Sequence, residues 1–197
     1  MIKIGILGDI GSGKSYVANA FGYPVFDADK EVSKLYQKDK KIFLKLKKKL
    51  PNYIFSFPIK KSEISRAILS NNLSLKKIVQ IIHPEIRKRM LSFIKKNKKR
   101  KIIILDIPLL LENKINKKKD ILIFVQSKKS QINLRLKKRK NYNKKILENL
   151  RKLQKKLSYK KKICDYIIKN DFKFLTVKKK VKHIKEKILN ERNSIRY

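Results

Sequence analysis

A chain of 197 residues can bury one substantial core, or a core domain carrying lobes, and leaves little room for two independent domains. Its 55 Lys and Arg against 15 Asp and Glu give a formal charge of +40, which invites a nucleic-acid reading, yet residues 1–29 carry only Lys3 and Lys14 against Asp9, Asp27 and Asp29. Only nine of the 55 basic residues are Arg, and Lys is the poorer residue for bidentate phosphate or base recognition, so the excess reads as a solvated face and nucleic acid is not the expected partner.

Residues 2–7 are a short apolar run rich in β-branched side chains and predict a buried strand. Gly8-Asp9-Ile10-Gly11-Ser12-Gly13-Lys14-Ser15 then follows the pattern G-x-x-x-x-G-K-[ST], and residues 14–21 predict a helix, with no breaker before Gly22 and Pro24. Strand, glycine-rich turn and helix is the context in which this spacing grips a polyphosphate. The glycines let backbone N–H groups curl around the anion, Lys14 reaches the β- and γ-phosphates, and the Ser15 hydroxyl ligates Mg²⁺. A nucleoside triphosphate with Mg²⁺ is therefore the expected ligand.

Residues 23–26 predict a second strand that ends in Asp27-Ala28-Asp29. Ligands of open parallel sheets bind beyond the carboxyl ends of the strands, so one of these carboxylates is a candidate base for the proton of an attacking alcohol. The competing role is a helix N-cap at Asp29. From residue 32, Leu35, Tyr36, Phe43, Leu46 and Leu50 recur at helical spacing until Pro51. Further helices are predicted over residues 62–69 and 74–82, and His83-Pro84 interrupts a pattern that resumes at Ile86, Met90, Phe93 and Ile94. Residues 30–95 thus read as a helical insert where an acceptor could be held, with His83 either a contact to it or a packing residue.

Residues 102–106 predict a buried strand whose last residue, Asp106, could hold Mg²⁺ through water, brace the acceptor, or simply end the strand. Residues 121–125 and 166–168 predict the fourth and fifth strands. Between them residues 132–139 read as a helix with Arg135 and Arg139 at i and i+4 on one face, and Leu147, Leu150, Leu153 and Leu157 continue a second stripe. Two arginines on a helical hairpin suit a lid over a transferring phosphoryl group. Val177, Val181, Ile184 and Ile188 mark a final amphipathic helix, and residues 191–197 read as a frayed tail. The expected fold is α/β, of the P-loop NTPase type: a five-stranded parallel sheet flanked by helices.

Cys164 is the only cysteine, so no intramolecular disulfide can form. The longest apolar stretch, residues 102–111, is broken by Asp106 and Pro108 and falls far short of the ~20 residues of a membrane span. The N-terminal residues lack the regions of a signal peptide. No membrane association and a cytoplasmic location are expected.

In this order, the G-x-x-x-x-G-K-S loop, Asp27-Ala28-Asp29, Arg66, His83-Pro84, Asp106-Ile107-Pro108-Leu109-Leu110 with Glu112, Arg135, Arg139, Gln154, Cys164-Asp165 and Asn170 make the chain resemble the dephospho-CoA kinases. The resemblance implies transfer of the ATP γ-phosphoryl to the ribose 3′-hydroxyl of dephospho-CoA, with Mg²⁺, by a monomer or small homo-oligomer. By position it implies Asp29 as general base, Lys14 and Arg139 at the transferring phosphoryl, and Ser15 on the metal. It implies ATP contacts from Gly11, Ser12, Gly13, Lys14, Ser15, Tyr16, Arg135 and Asn170, and acceptor contacts from Asp27, Asp29, Arg66, His83, Asp106, Pro108 and Leu109. It further implies one domain with a core of about 1–29, 100–126 and 163–190, a CoA-binding insert of about 30–95 and a lid of about 127–162.

The chain departs from the family at several positions. Asp9 replaces a Gly, and is expected to weaken ATP binding unless its side chain turns away and hydrogen-bonds locally; Tyr16 replaces Thr or Ser, Leu150 replaces a common Arg, and Phe172 replaces a Gly. The alternatives are another small-molecule or nucleotide P-loop kinase, or a polyanion-binding protein with a vestigial ATP loop.

Overall fold

The structure, a computed structural model, describes residues 1–139 and 142–194. The chain forms two compact units. One comprises Met1–Phe26, Lys99–Tyr142 and Leu153–Tyr197, the other Asp27–Lys98 and Asn143–Lys152. In chain order the elements are β1 (Ile2–Gly8), α1 (Lys14–Ala20), β2 (Val25–Asp27), α2 (Ala28–Lys38), α3 (Lys40–Lys49), α4 (Lys61–Ser70), α5 (Asn72–Lys96) and β3 (Ile102–Asp106). They continue with β4 (Ile121–Gln126), α6 (Lys129–Lys137), α7 (Lys144–Lys152), α8 (Leu157–Lys162), β5 (Tyr166–Lys169) and α9 (Phe174–Ser194).

The sheet of the first unit has five parallel strands in the order β2-β3-β1-β4-β5, as expected. β1 lies at its centre, with Ile4 opposite Ile104 of β3 on one side and Ile121 of β4 on the other. Ile4, Ile6, Ile102, Ile104, Ile123 and Ile168 are all fully buried, which is why these strands read as continuous rather than alternating apolar runs. Val17 of α1, Phe21 at its C-cap, and Val177, Val181 and Ile188 of α9 complete that core. The α9 helix runs on to Ser194, where a frayed tail from residue 191 was expected. Its C-terminal part is fastened by the Tyr166 hydroxyl, which donates to Glu191 at 2.7 Å, while residues 195–197 lie outside the described residues.

Two further expectations are corrected. The α6 helix ends at Lys137, so Arg139 lies beyond it and does not share a helical face with Arg135; the Arg139 N–H turns back onto the Leu136 carbonyl at 3.0 Å and closes the last turn. The leucine stripe from Leu147 to Leu157 is likewise not continuous, because α7 stops at Lys152 and α8 starts at Leu157.

The second unit is helical. Where the periodicity suggested one helix from residue 32 to Pro51, Asp39 divides the segment: it ends α2 in extended backbone (φ −102°, ψ 94°) and caps α3 by accepting from the Ile42 N–H at 3.1 Å. Such a cap stabilises a helix start by about 1 kcal/mol. The opposite correction applies at His83-Pro84. Pro84 sits inside α5, a single helix of 25 residues. An internal proline costs ~3 kcal/mol. Leu75, Ile78, Ile82, Ile86 and Met90 are buried along the one face that runs through it. At ~1.5–3 kcal/mol for each such side chain, burial outweighs the proline.

Arg89 of α5 ties this unit together. Its guanidinium lies 3.1 Å from Glu31 of α2, 3.6 Å from Asp39 and 3.6 Å from Glu85. Burial would raise the Glu31 pKa, but hydrogen bonds from Lys34 and Arg89, and their charges, bring it below its ordinary value of 4.5. A carboxylate lowered in the folded state contributes stability that is present above its unfolded pKa and lost as pH falls through the folded one. The thermal midpoint of the native chain is therefore expected to exceed that of Glu31→Gln at pH 7, with the gap closing below pH 4.5 as Glu31 becomes protonated. A gap that widens on acidification would contradict this reading of the Glu31–Arg89 pair.

Candidate active site

The turn between β1 and α1 is built for the conformation its glycines allow. Gly11 (φ 85°) and Gly13 (φ 89°) are both left-handed, a region that any β-carbon would strain. Space forbids one as well. A Cβ on Gly11 would stand 2.9 Å from Leu136 and 3.2 Å from Ile132, the two buried residues by which α6 packs on the turn, and one on Gly13 would meet the Asn170 amide at 2.3 Å.

Two distant side chains fix this loop from outside. Both the Ser127 hydroxyl, at 2.9 Å, and the Asn170 amide, at 2.8 Å, donate to the Ser12 carbonyl. Asn170 is 3% exposed, and its own Oδ1 accepts from the Phe172 N–H at 2.8 Å. The turn after β5 is thus bonded directly to the glycine loop. Ser127 had no signal in the sequence, whereas Asn170 came only from the family resemblance.

Lys14 opens α1, and its ammonium donates to the Asp9 carbonyl at 2.8 Å and the Gly8 carbonyl at 3.3 Å, so the cation is held over the loop by the loop's own backbone. The Asp9 carboxylate accepts from the Ile10 N–H at 2.7 Å, the local hydrogen bond that had been the condition for this substitution to be tolerated. Among the described residues Ser12 Oγ is buried without a hydrogen-bond partner. An unsatisfied buried hydroxyl costs ~1–3 kcal/mol, and at a phosphate loop it is a donor in want of an acceptor. Ser15 and Tyr16 are exposed in the first turn of α1.

Asp106 closes β3 and is 4% exposed. The turn that follows carries Pro108 and Leu109, both half-buried. Its Glu112 receives the Lys155 N–H at 2.7 Å and the Lys160 ammonium at 2.9 Å. Lys160 is 1% exposed, a buried cation that looks like any other lysine in the sequence. Arg135 stands on the last turn of α6 with its guanidinium 4.3 Å from the centre of the Phe172 ring. Arg139 is exposed.

The remaining candidates belong to the helical unit. The N-cap of α2 is Asp27, not Asp29: the Asp27 carboxylate accepts from the Lys30 N–H at 3.0 Å, and Asp29 lies exposed in the first helical turn. Arg66 of α4 lies over the Phe55 ring at 5.4 Å, and His83 is half-buried in α5. Glu63, which the sequence did not single out, is fully buried and receives the Phe55 N–H at 3.1 Å and the Ser56 hydroxyl, so it holds the segment on which Arg66 rests.

Among the described residues no three His, Cys, Asp or Glu side chains gather into a metal cage. The Ser15 hydroxyl in the first turn of α1 and the Asp106 carboxylate at the end of β3 are oxygen donors of the kind that suits a hard cation, which keeps several waters and takes the rest of its shell from phosphate oxygens. No described helix is long and apolar enough to cross a membrane.

The chain is similar to known proteins. The chain is 37% identical over 129 residues to the dephospho-CoA kinase of Wolbachia pipientis wMel, an alignment spanning 63% of this chain and 66% of that one. It is 35% identical over 150 residues to the dephospho-CoA kinase of a Wolbachia of Brugia malayi, spanning 74% of this chain and 76% of that one. Among solved structures, one from Thermus thermophilus superposes with a TM-score of 0.74 at 24% identity, over 96% of this chain and 97% of that one. The dephospho-CoA kinase from Campylobacter jejuni gives 0.61 at 21%, over 94% and 96% of the two chains; at such identities both bear on the fold alone. A family model described as dephospho-CoA kinase matches residues 2–175, nearly the whole described chain, and the chain therefore belongs to the dephospho-CoA kinase family.

Proposed function

We propose that this chain transfers the γ-phosphoryl group of ATP to the ribose 3′-hydroxyl of dephospho-CoA, giving ADP and coenzyme A. The observation that carries the reading is the Gly8-to-Ser15 loop, held in a phosphate-receiving conformation by Asn170, Ser127 and α6 within a chain whose family is known.

In this reading the backbone N–H groups of Gly11 to Ser15 and the Ser12 hydroxyl receive the triphosphate, and Lys14 moves from the loop carbonyls onto the β- and γ-phosphates. Lys14 and Arg139 then stabilise charge on the phosphoryl group in flight, and Arg135 and Tyr16 complete the donor site. Ser15 would hold Mg²⁺, which when bound would supply positive charge to offset that of the triphosphate. Asp29 takes the proton of the 3′-hydroxyl as the new O–P bond forms. Asp27, Arg66, His83, Asp106, Pro108 and Leu109 hold the acceptor, with residues 30–95 as its lobe and residues 127–162 as the lid. The substrates are free small molecules, the location is the cytoplasm, and the working form is a monomer or small homo-oligomer.

The test is a coupled ADP-release assay with dephospho-CoA, AMP and RNA supplied separately. Turnover with dephospho-CoA alone, and coenzyme A recovered in equal amount, is the expected result. ADP release that follows AMP instead would make the chain a nucleotide kinase.

A further inference from the structure

Lys160 of α8 is 1% exposed, although a lysine ordinarily keeps its ammonium in water. Its Nζ lies 2.9 Å from Glu112 Oε1 and donates to Gln154 Oε1 at 3.3 Å. Glu112 Oε1 also accepts from the Lys155 N–H at 2.7 Å, whereas Glu112 Oε2 is buried without a hydrogen-bond partner among the described residues. Two donors of the segment 154–160 thus converge on one carboxylate, and the Lys160 ammonium supplies the charge that balances it. Glu112 in turn is carried on a stiff turn. The Leu110 N–H donates to the Ile107 carbonyl at 3.2 Å, the Asn113 N–H to the Leu109 carbonyl at 3.1 Å and the Ile115 N–H to the Leu110 carbonyl at 3.0 Å, while Leu110 and Leu111 are buried. This is the turn that follows Asp106 and contains Pro108 and Leu109, so a shift of Glu112 moves those residues with it.

Stability alone does not call for such a pair. Removing two charges from water costs about as much as their attraction returns, and apolar side chains of similar volume hold such a place as well or better. What the pair adds is direction, because a charge-assisted hydrogen bond fixes angle and register where apolar packing lets two elements slide. We propose that Lys160 is a positioning residue for the acceptor: through Glu112 it sets the register of the turn after Asp106, with Pro108 and Leu109, against α8, without touching the substrate itself. The inference rests on the proposed acceptor site. It adds that acceptor recognition depends on this buried pair and ATP recognition does not, since the phosphate loop is held by separate bonds from Ser127 and Asn170.

Steady-state kinetics with both substrates, and thermal melting, of the whole chain test this in Lys160→Met and in the double variant Lys160→Met with Glu112→Leu. Lys160→Met leaves a buried carboxylate without its cation, so its thermal midpoint is expected to fall. The double variant refills the place with apolar side chains, and its midpoint is expected to return close to the native one. In both, KM for dephospho-CoA is expected to rise by about tenfold or more while KM for ATP stays within about twofold of native, because the direction given by the pair is missing in each. A double variant with native KM for dephospho-CoA, or equal rises in the two KM values, overturns the positioning role and leaves the acceptor reading standing. If the native chain phosphorylates no dephospho-CoA, the acceptor site falls and the positioning role with it.

Discussion

Lys14→Ala is expected to lower turnover by on the order of 10²-fold or more while leaving the fold intact. In the structure the Lys14 ammonium donates to the Gly8 and Asp9 carbonyls, so the loop already orients it before any phosphate arrives. A preorganised cation aimed where negative charge accumulates is worth several kcal/mol in the transition state, because no reorganisation is needed at the moment of transfer. Losing its bonds to two loop carbonyls costs far less, since those oxygens can turn to water. Steady-state kinetics should therefore show the loss in kcat as well as in KM for ATP, with a melting temperature within a few degrees of native. Native turnover in this variant would remove the Gly8-to-Ser15 loop from the reaction.

What the sequence revealed and what it hid follow a single division, between signals that are local and contacts that are not. The β1-turn-α1 segment was legible because its motif, its apolar strand and its helix occupy one continuous stretch. The five parallel strands were legible because isoleucine-rich runs buried on both faces leave a plain pattern. Asp39 was also a local signal, an acidic N-cap before Lys40, but the apolar spacing on either side of it argued for one helix and concealed the break. At Pro84 the reverse error arose, since a residue that usually stops a helix was outweighed by a stripe of buried side chains on the opposite face. The clamps on Ser12 span 115 residues from Ser127 and 158 from Asn170, and no local pattern encodes a bond of that reach. Lys160 was hidden for a different reason: a lysine buried against Glu112 carries the same letter as its many solvated neighbours.

Asp29→Asn is expected to lower turnover by ~10² to 10⁴ with little change in ATP binding, the larger effect of any single carboxylate substitution in the helical unit. A ribose hydroxyl is a weak nucleophile at neutral pH, and a carboxylate within hydrogen-bond reach both orients its lone pair and receives its proton as the bond to phosphorus forms. Asparagine keeps the size and much of the hydrogen bonding but cannot take the proton. The neighbouring Asp27 supplies the control. Its carboxylate caps α2 through the Lys30 N–H at 3.0 Å, and asparagine caps a helix as well as aspartate does, so Asp27→Asn should leave the helix start in place and cost much less. Asp29 is exposed in the first turn of that helix, and the N-cap is Asp27 rather than Asp29. The measurement is kcat and KM for both substrates in the two variants, with ATP binding followed separately. Equal losses in both would make the pair a shared metal site, and a loss confined to Asp27→Asn would transfer the role of base to Asp27.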